Sequence, residues 1–337
     1  MVYRAEEEAR SLRKHKPGYW GQASALLLAA TAGAEPVDPA HHWPLPPAVL
    51  EERLSTEDFE VLEVTGGVGG VTGAKKLRIR MAEDNHEIAV KWKPAPPGDA
   101  DGWNNAPRKE IAAYEIQKWF LEPGDYVVPT IVARCLHTDH HDPIETARAP
   151  TIEDTQCVLG ALVIWIDAVS VPDDLYDSGR FRNEPLYARH LADFNLLTYL
   201  IDHDDGRKGN FLVSEHEQQR RIFSVDNGVT FGTRLKNFLV PNWDRIRVPA
   251  LRKQSIERLR EVTDEHYEAL GVLVEMQADH TGVLKPVAPG KNTDPKKGAR
   301  VQPGSIQFGL EKDEIEAIRR RIDRILGQVD SGKIPTF

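Results

Sequence analysis

Cysteine is nearly absent: Cys135 and Cys157 are the only two in 337 residues. A zinc knuckle needs closely spaced pairs, so that class is excluded. The two thiols fit either one disulfide in an oxidising compartment or two buried free cysteines. No apolar run reaches the roughly eighteen residues that a membrane-spanning helix needs. A block of lysine and arginine is also missing, and the formal net charge is −9. Both argue against a nucleic-acid partner, whose phosphates demand a basic footprint.

What is present describes a globular chain. Hydrophobic residues make up 40% and charged residues 28%, enough to bury a sizeable core. The length fits one large two-lobed domain or two small ones. Arg4, Arg10, Arg13, Lys14 and Lys16 mix with Glu6, Glu7 and Glu8 before the Ala/Leu-rich run Ala23–Ala34. That order fits a secretory signal, which would make the protein secreted or periplasmic. It equally fits a helix ending at Gly33 with Pro36 beyond it, in which case the protein is cytoplasmic. Residues 35–49 carry five prolines and read as a linker, with His41 and His42 solvated. Residues 1–54 are therefore expected to form an extension.

From Phe59 to Val64 an apolar, β-branched stretch reads as a strand, and a second runs through Leu77, Ile79 and Met81. Between them lie Gly66, Gly67, Gly69 and Gly70. Glycines let backbone N–H groups approach phosphate oxygens without Cβ clashes. A dinucleotide fold would need a helix straight after them; the period-two pattern of 75–81 indicates a strand, with a flexible hairpin as the plainer reading. A third strand, 87–93, puts Ile88, Val90 and Trp92 on one face and Ala89, Lys91 and Lys93 on the other. Either lysine would suit a nucleotide's phosphates, and solvation of both is the bland alternative.

Residues 107–121 read as a helix opened by Pro107, carrying Glu110, with Glu115 as a fallback, as a partner for the strand lysine. Buried strands follow at 127–133 and 157–166. The loop 137–156 holds His137, His140, His141 and Asp142, whose irregular spacing suits solvated residues better than metal ligands. Asp167–Pro172 reads as a lobe linker, and 186–200 as a helix with Leu191, Phe194, Leu197 and Leu200 on its apolar side. Helices are expected at 256–270 and 311–329, with a Pro/Gly/Lys-rich loop at 285–304.

The densest chemistry lies in 203–232. Asp205 and Asp226 flank a hairpin with a polar turn at 214–221, and Asn210 stands five residues after Asp205. A surface hairpin with solvated acidic ends is one reading. Phosphoryl transfer is another. One carboxylate orients the attacking hydroxyl, while an Asn and a second carboxylate hold a metal that bridges nucleotide phosphates.

In this order the parts resemble an atypical kinase superfamily that includes type II phosphatidylinositol 4-kinases, Golgi secretory-pathway kinases and their bacterial relatives. The resemblance rests on Trp92-Lys93-Pro94, Arg108 to Tyr114 with Glu110, Val128-Pro129-Thr130, Asp205 with Asn210, and Val225-Asp226-Asn227-Gly228 followed by Phe231-Gly232. It spans roughly 60–235. It implies an α+β, two-lobed protein-kinase-like fold: an antiparallel-sheet lobe with one helix over 55–166, and a mainly helical lobe over 167–337. It further implies ATP with Mg²⁺ or Mn²⁺ and a hydroxyl acceptor in a protein, glycan, lipid or small molecule. Lys93 would hold the phosphates, Glu110 would partner it or contact the metal, Asp205 would be the catalytic carboxylate, and Asn210 and Asp226 would face the metal. The superfamily usually places Arg directly after the catalytic Asp, whereas Gly206 intervenes here before Arg207. That departure leaves Asp204 as an alternative and a nucleotide-binding pseudokinase as the competing function.

Overall fold

Alternating apolar and charged residues between Phe59 and Pro94 build three successive strands. The computed structural model describes residues 42–66, 73–102, 106–207, 209–216, 220–232 and 243–337. The strands are β1 (Phe59–Thr65), β2 (Lys75–Met81) and β3 (Glu87–Pro94). Segment 1–34, His41, and Gly67, Gly69 and Gly70 lie outside the described residues. Before β1, helix α1 (Pro47–Thr56) occupies part of the expected linker and buries Leu50 and Leu54 completely. Nor is His42 merely solvated: its ring nitrogens lie 3.0 Å from the Asp167 carbonyl and from Ser214 Oγ.

After β3 comes α2 (Pro107–Gln117), then β4 (Ile131–His137), a short helix α3 (Thr138–His141) and β5 (Cys157–Ile164). The five strands form one antiparallel sheet in the order β1-β2-β3-β5-β4. β4 starts four residues later than expected because the Val127 and Val128 N–H groups donate to Gln117 Oε1, both at 2.9 Å. The same glutamine ends α2, short of Leu121. Cys135 and Cys157 are joined as a disulfide between β4 and β5, with Cα atoms 5.4 Å apart. His141, expected in a solvated loop, is fully buried, and its Nε2 accepts from Trp92 Nε1 at 3.0 Å. Burial holds its ring below the usual histidine range, so it is a neutral core acceptor.

Gly160 on β5 sits opposite Pro94. A Cβ there would stand 2.5 Å from the Lys93 carbonyl oxygen and 2.8 Å from the Trp92 ring. Gly160→Val is expected to cost about 1–3 kcal/mol of stability through overpacking, which a urea-unfolding midpoint would report; an unchanged midpoint would mean that β3 yields without cost.

α2 is buried nearly all round, including Arg108, Lys109 and Glu110. A helix that buries charge needs partners on several sides. Arg108 Nη1 donates to Glu314 Oε2 at 2.6 Å, and Lys109 Nζ lies 3.5 Å from Glu314 Oε1. Glu314 belongs to α8 (Lys312–Asp330), the last helix, which packs through Ile318, Ile322 and Ile325.

Between these lie β6 (Val169–Ser170), α4 (Ser178–Asn183), α5 (Pro185–Leu200), β7 (Phe211–Ser214) and β8 (Ile222–Ser224). The strands pair as β6-β7-β8, so the expected lobe linker contributes a strand. The helix expected over 256–270 is two, α6 (Lys253–Leu259) and α7 (Asp264–Ala269). Thr263 and His266 form a reciprocal capping box that starts the second one afresh. β9 (Val274–Ala278), β10 (Leu284–Val287), β11 (Ala299–Gln302) and β12 (Ser305–Phe308) follow as a sheet ordered β10-β9-β12-β11. The expected loop 285–304 thus contains two strands, and Pro286 is tolerated because β10 is an edge. The expected α+β class is the one adopted, with antiparallel sheets in both halves of the sequence. Among the described residues, no helix is long and apolar enough to cross a membrane.

Candidate active site

The alternation of β3 puts Lys91 and Lys93 on the face opposite the core residues Ile88, Val90 and Trp92. Lys93 is nonetheless buried, because α2 and the segment after β8 close over it. Its Nζ donates to Glu110 Oε1 and, at 2.7 Å, to Asp226 Oδ1. Lys91 Nζ lies 3.7 Å from the other Asp226 oxygen. Glu110 Oε2 accepts from the Asn227 N–H at 2.9 Å, so one carboxylate ties the strand lysine to the Asp-Asn-Gly turn. The Lys93 and Glu110 side chains are each 2% exposed. At that depth a charge persists only if it is paired and hydrogen-bonded.

Burial pulls Lys93 down, but Glu110 and Asp226 outweigh it and hold the ammonium above the ordinary lysine range. Burial pushes Asp226 up; Lys93 and then Lys91 overcome it and hold the carboxylate well below its usual range. For Lys91 burial wins, and its pKa is lowered although Asp226 opposes the shift. Asp226 and Lys93 are therefore both charged at neutral pH.

The turn around Asp226 is a local consequence of its sequence. Asp226 has φ of +64°, a left-handed conformation that Asp tolerates better than most residues. Such backbone costs on the order of 1–3 kcal/mol and must be held by its surroundings. Here Ser224 Oγ donates to Asn227 Oδ1 at 2.7 Å, Thr230 Oγ1 to the Asn227 carbonyl at 2.8 Å, and Lys109 Nζ to the Thr230 carbonyl at 2.9 Å.

The other half of the site is built at the start of β7. α5 ends at Leu200, and Asp202, with φ of +51°, turns the chain. Asp205 is buried, and Arg207 Nε donates to both its carboxylate oxygens, at 2.7 and 2.9 Å. Asn210 Nδ2 donates to the Asp205 carbonyl at 3.0 Å, and the Asn210 carbonyl accepts from the Val225 N–H at 2.8 Å. The hairpin thereby sets Asn210 beside the residue preceding Asp226. Arg207 feels both acids: its bonds to Asp205 raise its pKa, and the charge of Asp226 adds to that. Beneath them His203 is fully buried, its ring 5.1 Å from Phe211, and burial lowers its pKa to about 4. It is a neutral floor, although Asp205 and Asp226 pull the other way.

Lys93, Lys91, Glu110 and Asp226 thus form one ion-paired group, and Asp205 and Asn210 are joined to the segment carrying Asp226 by the backbone bond between Asn210 and Val225. Ala89 shares the lysine face, and its carbonyl accepts from the Trp165 N–H at 3.0 Å. Gly66 directly follows β1 and is exposed. Glu115 lies apart, paired with Lys118 at 2.7 Å. Asp204 groups instead with Asp202 and Asp244, whose carboxylate oxygens lie within 4.8 Å of one another; Asp202 is also paired with Arg321. Sequence reasoning missed the Arg207–Asp205 pair, the Asn227–Glu110 bond and Lys109. Only Arg207 gave a signal, as the residue displaced by Gly206.

No family model matches the chain, and no curated protein does. Among solved structures, the chain is similar to a crystal structure of the Golgi casein kinase, with a TM-score of 0.47, 13% identity and coverage of 84% of this chain and 76% of that one. A crystal structure of the Golgi casein kinase with Mn/ADP bound gives a TM-score of 0.47, 14% identity and coverage of 84% and 75%. At this distance the chemistry of the site rests on its own residues.

Proposed function

We propose that the protein is an ATP- and divalent-metal-dependent phosphotransferase, moving the terminal phosphoryl group to a hydroxyl of a protein, glycan, lipid or small molecule. The observation that carries this reading is Lys93, buried between Glu110 and Asp226. Packing alone does not favour such a trio, since apolar residues of similar volume are often as stable. A phosphate site does favour it: Glu110 keeps the ammonium in place while the α- and β-phosphates replace Asp226 as its second partner.

The donor set suits the cation. Asp226 offers carboxylate oxygens, and Asn210, whose Nδ2 is engaged by the Asp205 carbonyl, offers Oδ1. Both are hard oxygen ligands of the kind Mg²⁺ and Mn²⁺ take. When bound, the cation would neutralise charge on the phosphates. Asp205 orients the acceptor hydroxyl and takes its proton as the new O–P bond forms and ADP departs.

A second reading, a nucleotide-binding pseudokinase, is favoured by one observation: Arg207 occupies both oxygens of Asp205. Thermal unfolding with ATP and Mn²⁺ or Mg²⁺, beside transfer of labelled terminal phosphate to a panel of protein, glycan and lipid acceptors, separates the two. ATP with metal at a hundredfold excess over Kd is expected to stabilise the fold by about 2.7 kcal/mol, with label transferred to one acceptor class. Stabilisation without any phosphate release or transfer would select the pseudokinase, and no stabilisation would end both.

A further inference from the structure

Arg207 belongs to two places at once. Its guanidinium closes the carboxylate of Asp205, and with Gly206 it lines a cavity of about 660 Å³ whose wall includes Val171, Tyr176, Phe211 and Trp243. That volume and that largely apolar lining are those of a small-molecule or side-chain pocket. The Asp205 side chain is 7% exposed, whereas that of Arg207 is 53% exposed. The arginine is therefore a removable cover on a buried acid, outside the packed core.

We propose that Arg207 is a latch on Asp205: it blocks the carboxylate until an acceptor entering through this cavity draws the guanidinium away. The inference rests on the reading of Asp205 as the carboxylate that serves the acceptor. While Arg207 holds both oxygens, its charge-assisted bidentate contact takes a lone pair of each, and an incoming neutral hydroxyl must compete with the guanidinium for the carboxylate. Water meets the same barrier. The latch thus suppresses futile hydrolysis, in which a water oxygen bonds to the terminal phosphorus, the bond from that phosphorus to the bridging oxygen breaks, and the water proton passes to Asp205, leaving ADP and inorganic phosphate. Arg207 is in this sense a positioning residue, acting through Asp205.

The test uses the full chain with Mn²⁺ and ATP and no acceptor, measuring release of inorganic phosphate beside thermal stabilisation by ATP. Arg207→Ala is expected to raise the basal rate about tenfold or more, with the ATP-induced stabilisation unchanged. Arg207→Lys, a point charge without the fork, is expected to fall between. The double variant Arg207→Ala with Asp205→Asn is expected to lose the gain, which a merely structural effect of Arg207 would not predict. A basal rate in Arg207→Ala equal to or below that of the unsubstituted protein, with ATP still stabilising the fold, would overturn the latch. Absence of any ATP response in the unsubstituted protein is a different failure, that of the phosphotransferase reading itself.

Discussion

Lys93→Met is expected to lower the free energy of unfolding by about 3–5 kcal/mol and to remove stabilisation by ATP. The stability loss follows chiefly from leaving the buried Glu110 without its counter-charge, the usual cost of breaking a buried ion pair from one side; Asp226 is partly exposed and keeps Lys91 nearby. Lys91→Met is expected to cost no more than about 1 kcal/mol, since its contact with Asp226 is at 3.7 Å and its shift is governed by burial. Urea unfolding followed by tryptophan fluorescence checks both. The pH dependence carries the same signature. Asp226 is depressed in the folded state, so its contribution is present above the unfolded carboxylate pKa of about 3.9 and is lost as pH falls below it. With Lys93 gone the depression shrinks, and the variant should lose less additional stability on acidification than the parent. Equal midpoints for Lys93→Met and the parent, or a greater loss in Lys91→Met, would reverse the choice between the two lysines.

On the proposed function, Asp226→Ala is expected to reduce ATP turnover by about 10³-fold or more, because it would remove a hard-oxygen ligand from the proposed phosphate site. The fold should survive, since Lys93 keeps its bond to Glu110. Asp205→Asn is expected to cost about 10²- to 10⁴-fold, the range for a positioned general base. Asp204→Asn serves as the contrast: Asp204 is grouped with Asp202 and Asp244, so turnover per folded molecule should change by less than about tenfold. Turnover in Asp226→Ala equal to the parent would remove the mechanism, and a larger loss in Asp204→Asn than in Asp205→Asn would exchange their roles.

The parts of the molecule legible in sequence are those governed by local periodicity. β1, β2 and β3 follow from alternation, α5 from its apolar spacing, and the β7–β8 hairpin from two apolar runs around a polar turn. The four-stranded sheet was hidden because its strands are only four or five residues long and lie among Pro286, Pro289, Gly290 and Pro295, a composition that suggests a loop. The break between α6 and α7 depends on one threonine whose capping role competes with continued helix. In the candidate site, residue types and the Asp205-to-Asn210 step could be read, but their partners could not. Arg108 with Glu314, Asn227 with Glu110, and Lys109 with Thr230 join residues more than a hundred positions apart. No local pattern encodes such pairs; only the packing of α2 on all its faces creates them.

That packing makes the last helix a support for the residues beside Glu110. Arg108 and Lys109, the two residues before Glu110, are gripped by Glu314 near the start of α8, and Gly298 leaves room for the Arg108 side chain, where any Cβ would collide with it. The start of the last helix is therefore tied, through one salt-bridged turn, to the stretch that carries Glu110. A helix that carries none of the candidate chemistry thus forms part of the wall on which the Lys93–Glu110 pair rests.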